Sequence, residues 1–509
     1  MPTSLYGFIF HGVDYATPPH ELLPTALADA RNIVPNEAGL ATGRSGSVQL
    51  NSTALASGGR VTSVHEFRSG TTRTILASYG TKIGTYSSAA GDFTAQITGL
   101  TDDKMYQWVN FGGKAIGVNE GSNTAQYYNA DGSGDLCATA PSGLCVAVWA
   151  NRVWFMDSAT LVGSHLNDED GDYTDTGTAT TAVSQNIGDS GDYGTGLFGF
   201  FDMLIVGKMN QLFKVTGAPA TDGTTLSIEP IYTKSADSVG FTSPWAITQV
   251  GNDLIFLDGF DIKRLSGIQE YGDVETASII PHFKDYLKSI ADKDYLKYTQ
   301  FFHYKQVQQI WVSIPTGAST HFVFVLDYKF KQQTGRYSFF PMYNLDMACF
   351  GGVEDGQAVD IYSGDESGYV WQLDTGNDDG GTAIDRYFVN VVSGNNPQQG
   401  LLYAHQFRKQ FQLSDTYIEP TEDSLSMTPH YATNLMDDTQ IRTSGNYTAL
   451  DAETVSDWTG TGTKHKKKRF FGLNGKTLAL RWRHNTLAQN FIFQPSVIEY
   501  EYKNKIDIV

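Results

Sequence analysis

Cysteine is nearly absent from this chain. Three residues in 509, Cys137, Cys145 and Cys349, are too few and too scattered for a disulfide framework or a thiolate metal cage. Cys137 and Cys145 are near enough in sequence to pair across a turn, yet reduced structural thiols are the simpler expectation. Long apolar runs are also missing, since no stretch approaches the ~20 residues that cross a bilayer. No Lys or Arg precedes Arg31, so the basic start of a signal peptide is not there. The expectation is a soluble chain made in the cytoplasm. Positive charge is scarce, with 36 Lys+Arg against 55 Asp+Glu and a net charge of −19. That balance argues against a free-standing nucleic-acid reader, which needs an excess of basic residues. It fits a surface that stays soluble and does not stick to polyanions.

Helical periodicity is sparse. In His20–Ile33, Leu22, Leu23, Ala26, Leu27 and Ala30 share one face, and Pro24 confines a helix to start there. In His282–Thr299, Phe283, Tyr286, Leu287 and Ile290 keep helical spacing. The latter reads as one short helix inserted in a β scaffold.

Recognisable catalytic constellations are lacking as well. There is no G-x-S-x-G elbow. Gly475-Lys476-Thr477 resembles the end of a phosphate loop, but Phe470 stands where the earlier glycine belongs. His20-Glu21 lacks the second histidine of a zinc helix, and the other histidines are dispersed. Asp168-Glu169-Asp170-Gly171-Asp172 has the acid density of a calcium loop, but its glycine is misplaced and no glutamate closes it. No cofactor, metal ion or enzymatic activity is expected.

What the chain does have is β signal. Apolar runs of four to six residues, rich in Val, Ile, Tyr, Phe and Trp, alternate with Gly, Asn, Asp or Ser. They recur as pairs: Ile75–Ala77 with Ile83–Tyr86, Ala115–Val118 with Ala125–Tyr128, and Val153–Phe155 with Leu161–Gly163. Leu204–Val206 with Leu212–Val215, Leu254–Leu257 with Ile262–Leu265, Ile310–Ile314 with Phe322–Leu326, and Val359–Tyr362 with Tyr369–Leu373 complete the series. The steps between pairs run from 38 to 56 residues. That period, with several short strands per unit, marks a β-propeller, whose blades bury each other's apolar faces and leave only short edges. Ser363-Gly-Asp365-Glu-Ser-Gly368-Tyr-Val-Trp371 resembles the Asp-box hairpin of sialidase-type propellers, with one extra residue. In those families the box is a structural turn.

The fold class read from this pattern is all-β: a six- or seven-bladed β-propeller over 61–385, preceded by an N-terminal arm over 1–60 that supplies a strand to the last blade. A C-terminal β-sandwich-like domain with a long polar loop, Ser414–Thr463, occupies 386–509. Asp374–Gly381 reads as the linker.

Charge is unevenly spread. Nine acids and no base lie between Arg152 and Lys208, and ten acids and no base lie between Arg336 and Arg386. From Lys464 to Arg483 there are eight bases and no acid. Lys464, Lys466, Lys467, Lys468, Arg469, Arg481 and Arg483 are therefore candidates for a subunit or adaptor contact. Subunits acidic in one part and basic in another can dock head to tail.

The segment Ala30-Arg31-Asn32-Ile-Val-Pro-Asn36-Glu-Ala-Gly39-Leu40-Ala-Thr-Gly-Arg44-Ser45-Gly46 resembles the opening of tail nozzle (tail hub) proteins of short-tailed bacteriophages, or podoviruses. There an Asn-rich extended stretch leads through Arg-x-Gly into a propeller. Ser45 stands where Pro is common. Phe324-Val-Leu-Asp327-Tyr328-Lys329 and Arg481-Trp-Arg-His484-Asn485-Thr486 are similar in style. The resemblance implies a structural virion protein, a homohexameric ring below the portal–adaptor complex. It would contact tail fibres or spikes, close the capsid, and pass double-stranded DNA without reading its sequence. Its place would be the virion tail, after synthesis in the host bacterial cytoplasm. Under that reading Asp168, Glu169, Asp170, Asp172, Glu354, Asp355, Asp365, Glu366, Asp378 and Asp379 are candidates for an acidic lumen that repels DNA phosphates. With ~8 Å of Debye screening, the repulsion acts only close to the wall. Asp157–Tyr193 and Ser414–Thr463 are candidate gate or fibre-docking insertions. The alternative is a glycan-binding or depolymerase propeller of a receptor-binding apparatus, which would need paired carboxylates ~5–9.5 Å apart.

Overall fold

The computed structural model describes residues 3–176, 180–217, 226–231, 238–266, 275–355, 358–393, 408–420, 424–425, 427–435, 437–449, 458–459, 464–469 and 473–502. The chain is a β-propeller joined to a second β body. Among the described residues, seven sheets, each built on antiparallel strands consecutive in the chain, follow one another, and Gly12–Val13 and Ala26–Leu27 join the sixth in parallel. Their first strands are Val61–Ser69, Gln107–Phe111, Cys145–Trp149, Gly194–Phe200, Ile247–Val250, Gln300–Tyr304 and Met347–Asp355. These stand side by side in chain order, and the seventh returns to lie against the first. Each apolar pair of the sequence falls in the second and third strands of one sheet, as with Arg152–Asp157 and Thr160–Gly163. Both faces of such central strands are covered by neighbouring sheets, so they read as continuous apolar runs.

The seventh sheet is completed from the other end of the chain. Ser47–Gln49 pairs antiparallel with Val370–Leu373, with Val48 opposite Gln372. Asp378–Asp379 and Thr382–Ala383 extend the same sheet, so the expected linker 374–381 is partly strand. Asp365 shapes the turn before Val370. Its Oδ1 accepts the Ser367 and Tyr369 amides, and its Oδ2 accepts the indole N–H of Trp371 at 2.9 Å.

The second body draws on both chain ends. One sheet runs Thr3–Tyr6, Ser496–Tyr502, Lys409–Pro420, Phe491–Phe493, Ala41–Gly43, Ile33–Pro35, with Lys464–Arg469 and Asn474–Gly475 also paired to the 409–420 strand. The other runs Asp29–Arg31, Arg386–Val392, Leu478–His484, Thr428–Thr433, Thr448–Ala449. Phe388 and Trp482 of the second sheet meet Phe493 of the first at 5.0 and 5.1 Å between ring centroids. The expected 1–60 arm is thus divided. Residues 3–6, 29–35 and 41–43 serve this body, because its strands need edge partners, and residues 47–49 close the ring. The stretch 414–463 is not one loop either. Residues 414–420 continue a strand, 428–433 form another, and Asp438–Arg442 is helical. Residues 450–457 of that stretch fall outside the described residues.

No helix begins at Pro24. A 3-10 turn spans Pro19–Glu21, and Ala26–Leu27 and Asp29–Arg31 are strands. Ala26, Ala28 and Ala30 also alternate with period two, and open sheet edges at Gly12–Val13 and Val389 capture them. The other expected helix forms as Lys284–Ile290, with Phe283 and Leu287 buried. A further short helix spans Lys331–Thr334. All three cysteines are free, and burial pushes the Cys145 and Cys349 thiols up.

Candidate functional site

The first strands of all seven sheets line a cavity of about 410 Å³ on the ring axis. Its wall is hydrogen-bonded from within. Gln107 donates Nε2 to the Pro244 carbonyl and accepts the Val146 amide. Trp245 donates its indole N–H to the Tyr106 carbonyl at 2.9 Å, and Trp108 donates to Ser63 Oγ at 2.9 Å. His65 and Tyr106 both stack on Trp108, at 5.8 and 5.5 Å. Burial holds the His65 imidazole down at about 4, so it is neutral at pH 7. No Asp, Glu, Lys or Arg is among the residues that line this cavity. The carboxylate pair of a glycosidase is therefore not built there. The volume is that of a small-molecule pocket, so a DNA duplex does not thread the ring of a single chain.

Several histidines share the same fate. Burial lowers His11 and His303 to about 4 and His282 to about 3, with the Arg336 charge beside His11 and His282 adding to the effect. The unfolded chain therefore takes up protons near pH 6.5 that the folded chain refuses. The share of stability that these histidines carry is complete above about pH 6.5 and falls as pH drops from there toward 4. For His282, which is buried with both ring nitrogens unpartnered, the loss between pH 6.5 and 4.5 is about 2–3 kcal/mol. A His282→Leu variant is expected to show a shallower fall of melting temperature over that range. An unchanged slope would remove His282 from the account.

The acidic candidates do not share one surface. Glu169 is buried and paired with Lys114 at 3.0 Å, and Asp170 pairs with the same ammonium. Asp168 and Asp172 are exposed, in the connection between the third and fourth strands of the third sheet. Asp172 is held low by hydrogen bonds from the Thr174 hydroxyl and amide. Glu354, at the first turn of the seventh sheet, is bound to Arg68 at 2.6 Å. Asp355 ends that same strand. Asp365 is committed to its turn, and Glu366 beside it lies 3.6 Å from His321, with burial raising its carboxyl. Asp378 accepts the Gly381 amide. Asp379 makes a two-pronged pair with Arg44, at 2.9 and 2.5 Å. Glu169, Asp365 and Asp379 are thereby structural side chains, because each is already satisfied inside the molecule.

The basic candidates also separate. Lys464–Arg469 is a strand paired to Leu413–Ile418, Lys464 opposite Ile418. Arg483 donates to Asp385 at 2.7 Å. Arg481 lies on the Tyr387 ring, 4.2 Å from its centroid.

The Arg-x-Gly motif gains a physical meaning. Arg44 is buried and donates to Asn32, the Ser45 carbonyl and Asp379. Arg386, fully buried across Gly43, donates to the carbonyls of Arg44, Asn377 and Gln489. A Cβ on Gly46 would stand 1.9 Å from the Asp378 carbonyl oxygen, so only glycine lets the two segments approach. This cluster joins ring to second body. On sequence Asp379 falls among the lumen candidates, because nothing local signals a partner 335 positions away.

No protein-family model matches the chain, and no curated protein matches it. Solved structures do. The β-propeller domain of Myceliophteria thermophila Cps50 (Swd1) is 10% identical, covers 64% of this chain and 99% of its own, with a TM-score of 0.42. The N-terminal domain of Nup159 is 10% identical, covering 67% and 96%, with a TM-score of 0.38. The Neurospora crassa Pan2 WD40 domain is 8% identical, covering 64% and 95%, with a TM-score of 0.39. At such identities the likeness extends to the fold alone.

Proposed function

We propose that this chain is a non-enzymatic wall subunit of a short-tailed phage tail, a nozzle that closes the capsid and conducts DNA outward through a ring of copies. One observation carries the reading. The propeller is welded to the second body by Arg44, Asp379 and Arg386, on the residues Arg44 and Gly46 that support the resemblance. Two bodies tied by buried, multiply bonded arginines behave as one rigid block, which suits a wall under load. DNA would pass between copies, since the axial cavity of each ring is small. The acids available to face it are the exposed ones, Asp168 and Asp172 among them, while Glu169, Asp365 and Asp379 hold the subunit together. Negative-stain images of the chain mixed with a portal–adaptor complex test this. Six-fold rings with a central hole are expected. A monodisperse monomer, alone and in the mixture, would sink the reading.

A further inference from the structure

A second cavity, of about 420 Å³, opens at the end of the ring where the chain enters its first strands. Every residue that lines it precedes a first strand, begins one, or follows a second strand. First and second strands are antiparallel, so these points share one end. Leu144, Phe241, Trp245 and Leu296 give it an apolar lining, and Tyr193 and Met209 border it with 49% and 51% of their surface exposed. The longest connection between sheets of the ring, 279–299, supplies one side. Pro244 and Trp245 also line the axial cavity, so this mouth lies beside the ring axis.

Positive charge prevails around the mouth. Glu120 already lies between Lys104 and Lys297, at 3.9 and 4.0 Å, and accepts the Met105 amide. Lys293 is exposed and makes no ion pair among the described residues. Lys104, Lys293 and Lys297 thus outnumber Glu120 and the exposed Asp294.

The opposite end of the ring carries a projection of matching character. Phe201 is the first residue of the two-residue turn between Gly194–Phe200 and Met203–Lys208, and it is 59% exposed. Its φ is +53°, a left-handed conformation that strains a bulky residue. The same turn position holds Gly70 in the first sheet, Gly112 in the second and Gly251 in the fifth, each at positive φ. Folding alone is served better by glycine at this point of a hairpin. The fourth sheet instead presents an aromatic ring, braced on Phe200 at 4.6 Å between centroids. Asp202 follows it, exposed and without an ion pair among the described residues. Because the turn ends an inner strand, it too lies beside the axis. Turn and cavity stand at opposite ends of one ring, so a molecule cannot fill its own cavity. A contact between them is heterologous and joins copies head to tail.

We propose that Phe201 of one copy seats in the mouth cavity of a second copy of this chain, with Asp202 set against Lys293 and Lys297. An aromatic anchor in an apolar pocket, rimmed by opposite charge, is how interface hot spots are built. The inference rests on the ring reading above and names its contact. Sedimentation velocity of the full chain over a concentration series reads association, and thermal melting reads folding. Phe201→Gly is expected to weaken association at least ~10-fold without lowering the melting temperature, since glycine relieves the turn. Met209→Glu with Lys293→Glu, both at exposed positions, should do the same from the cavity side. An equal mixture of these two variants keeps one intact anchor and one intact cavity, so it should form pairs and no rings. Asp202→Lys should weaken association, and adding Lys293→Glu should recover part of the loss. If the wild type forms rings that both variants leave intact, the contact is wrong and the nozzle reading stands. If only one of the two weakens assembly, or their mixture forms no pairs, anchor and cavity do not meet and the proposal is overturned. If the wild type never assembles, with or without portal and adaptor, the ring reading falls and the contact with it.

Discussion

Asp379→Ala is expected to destabilise the protein by about 3–5 kcal/mol, the cost of leaving a buried charge without its partner. Arg44 is almost fully buried and gives both terminal nitrogens to this one carboxylate. Its remaining bonds, to Asn32 and the Ser45 carbonyl, are to neutral acceptors and cannot balance the guanidinium. Ser47 also donates to Asp379 at 3.0 Å, so the same change loosens the strand that closes the ring. Urea unfolding followed by tryptophan fluorescence reads the loss as a lower midpoint. Asp379→Asn keeps acceptors but removes the charge and should lie between. The double variant Arg44→Met with Asp379→Leu should recover much of the deficit, since a buried pair replaced as a whole by apolar groups is often near neutral. A loss below about 1 kcal/mol for Asp379→Ala would mean that water reaches Arg44, and the weld would not be what holds the two bodies together.

The sequence showed the ring through its central strands and little else of it. Leu204–Val206 and Leu212–Val215 are legible because sheets pack on both sides of them, which demands unbroken apolar runs. First strands such as Gln107–Phe111 face a cavity on one side, and fourth strands such as Ser227–Pro230 face water. Their mixed residues do not announce strands. The seventh sheet exposes a second limit. Its fourth strand, Ser47–Gln49, is more than 300 residues from its partner in sequence, and only tertiary pairing identifies it. The same distance hid the weld. Arg44 was visible as part of a motif, Asp379 and Arg386 only as members of charge runs. Charge runs count residues without telling which are already neutralised, so Glu169 and Asp379 looked like free acids until Lys114 and Arg44 were placed beside them. Asp168 and Asp172 of the third sheet do stay at the surface, because short Asx turns hold them there.

Asn51→Ala is expected to cost about 2–4 kcal/mol and to open the ring at one seam. Asn51 is buried just beyond the closing strand. Its Oδ1 accepts the Val370 amide at 2.8 Å, and its Nδ2 donates to the carbonyls of Gly368 and Thr53. It therefore fastens an N-terminal segment to the seventh sheet where no covalent link exists. Alanine leaves the Val370 N–H buried and unpaired, since the backbone bond from the Leu50 amide serves the Val370 carbonyl instead. The four strands of each of the first five sheets are consecutive in the chain and lose nothing directly. Native-state hydrogen exchange should then show protection falling first at 47–49 and 370–373, while amides of the fourth sheet keep theirs. Asn51→Asp separates the two halves of the latch. It still accepts from Val370 but turns a negative oxygen on the Gly368 and Thr53 carbonyls, so it should rescue little. Uniform loss of protection around all seven sheets would show instead that the ring opens as one cooperative unit, with the N-terminal strand no weaker than any other joint.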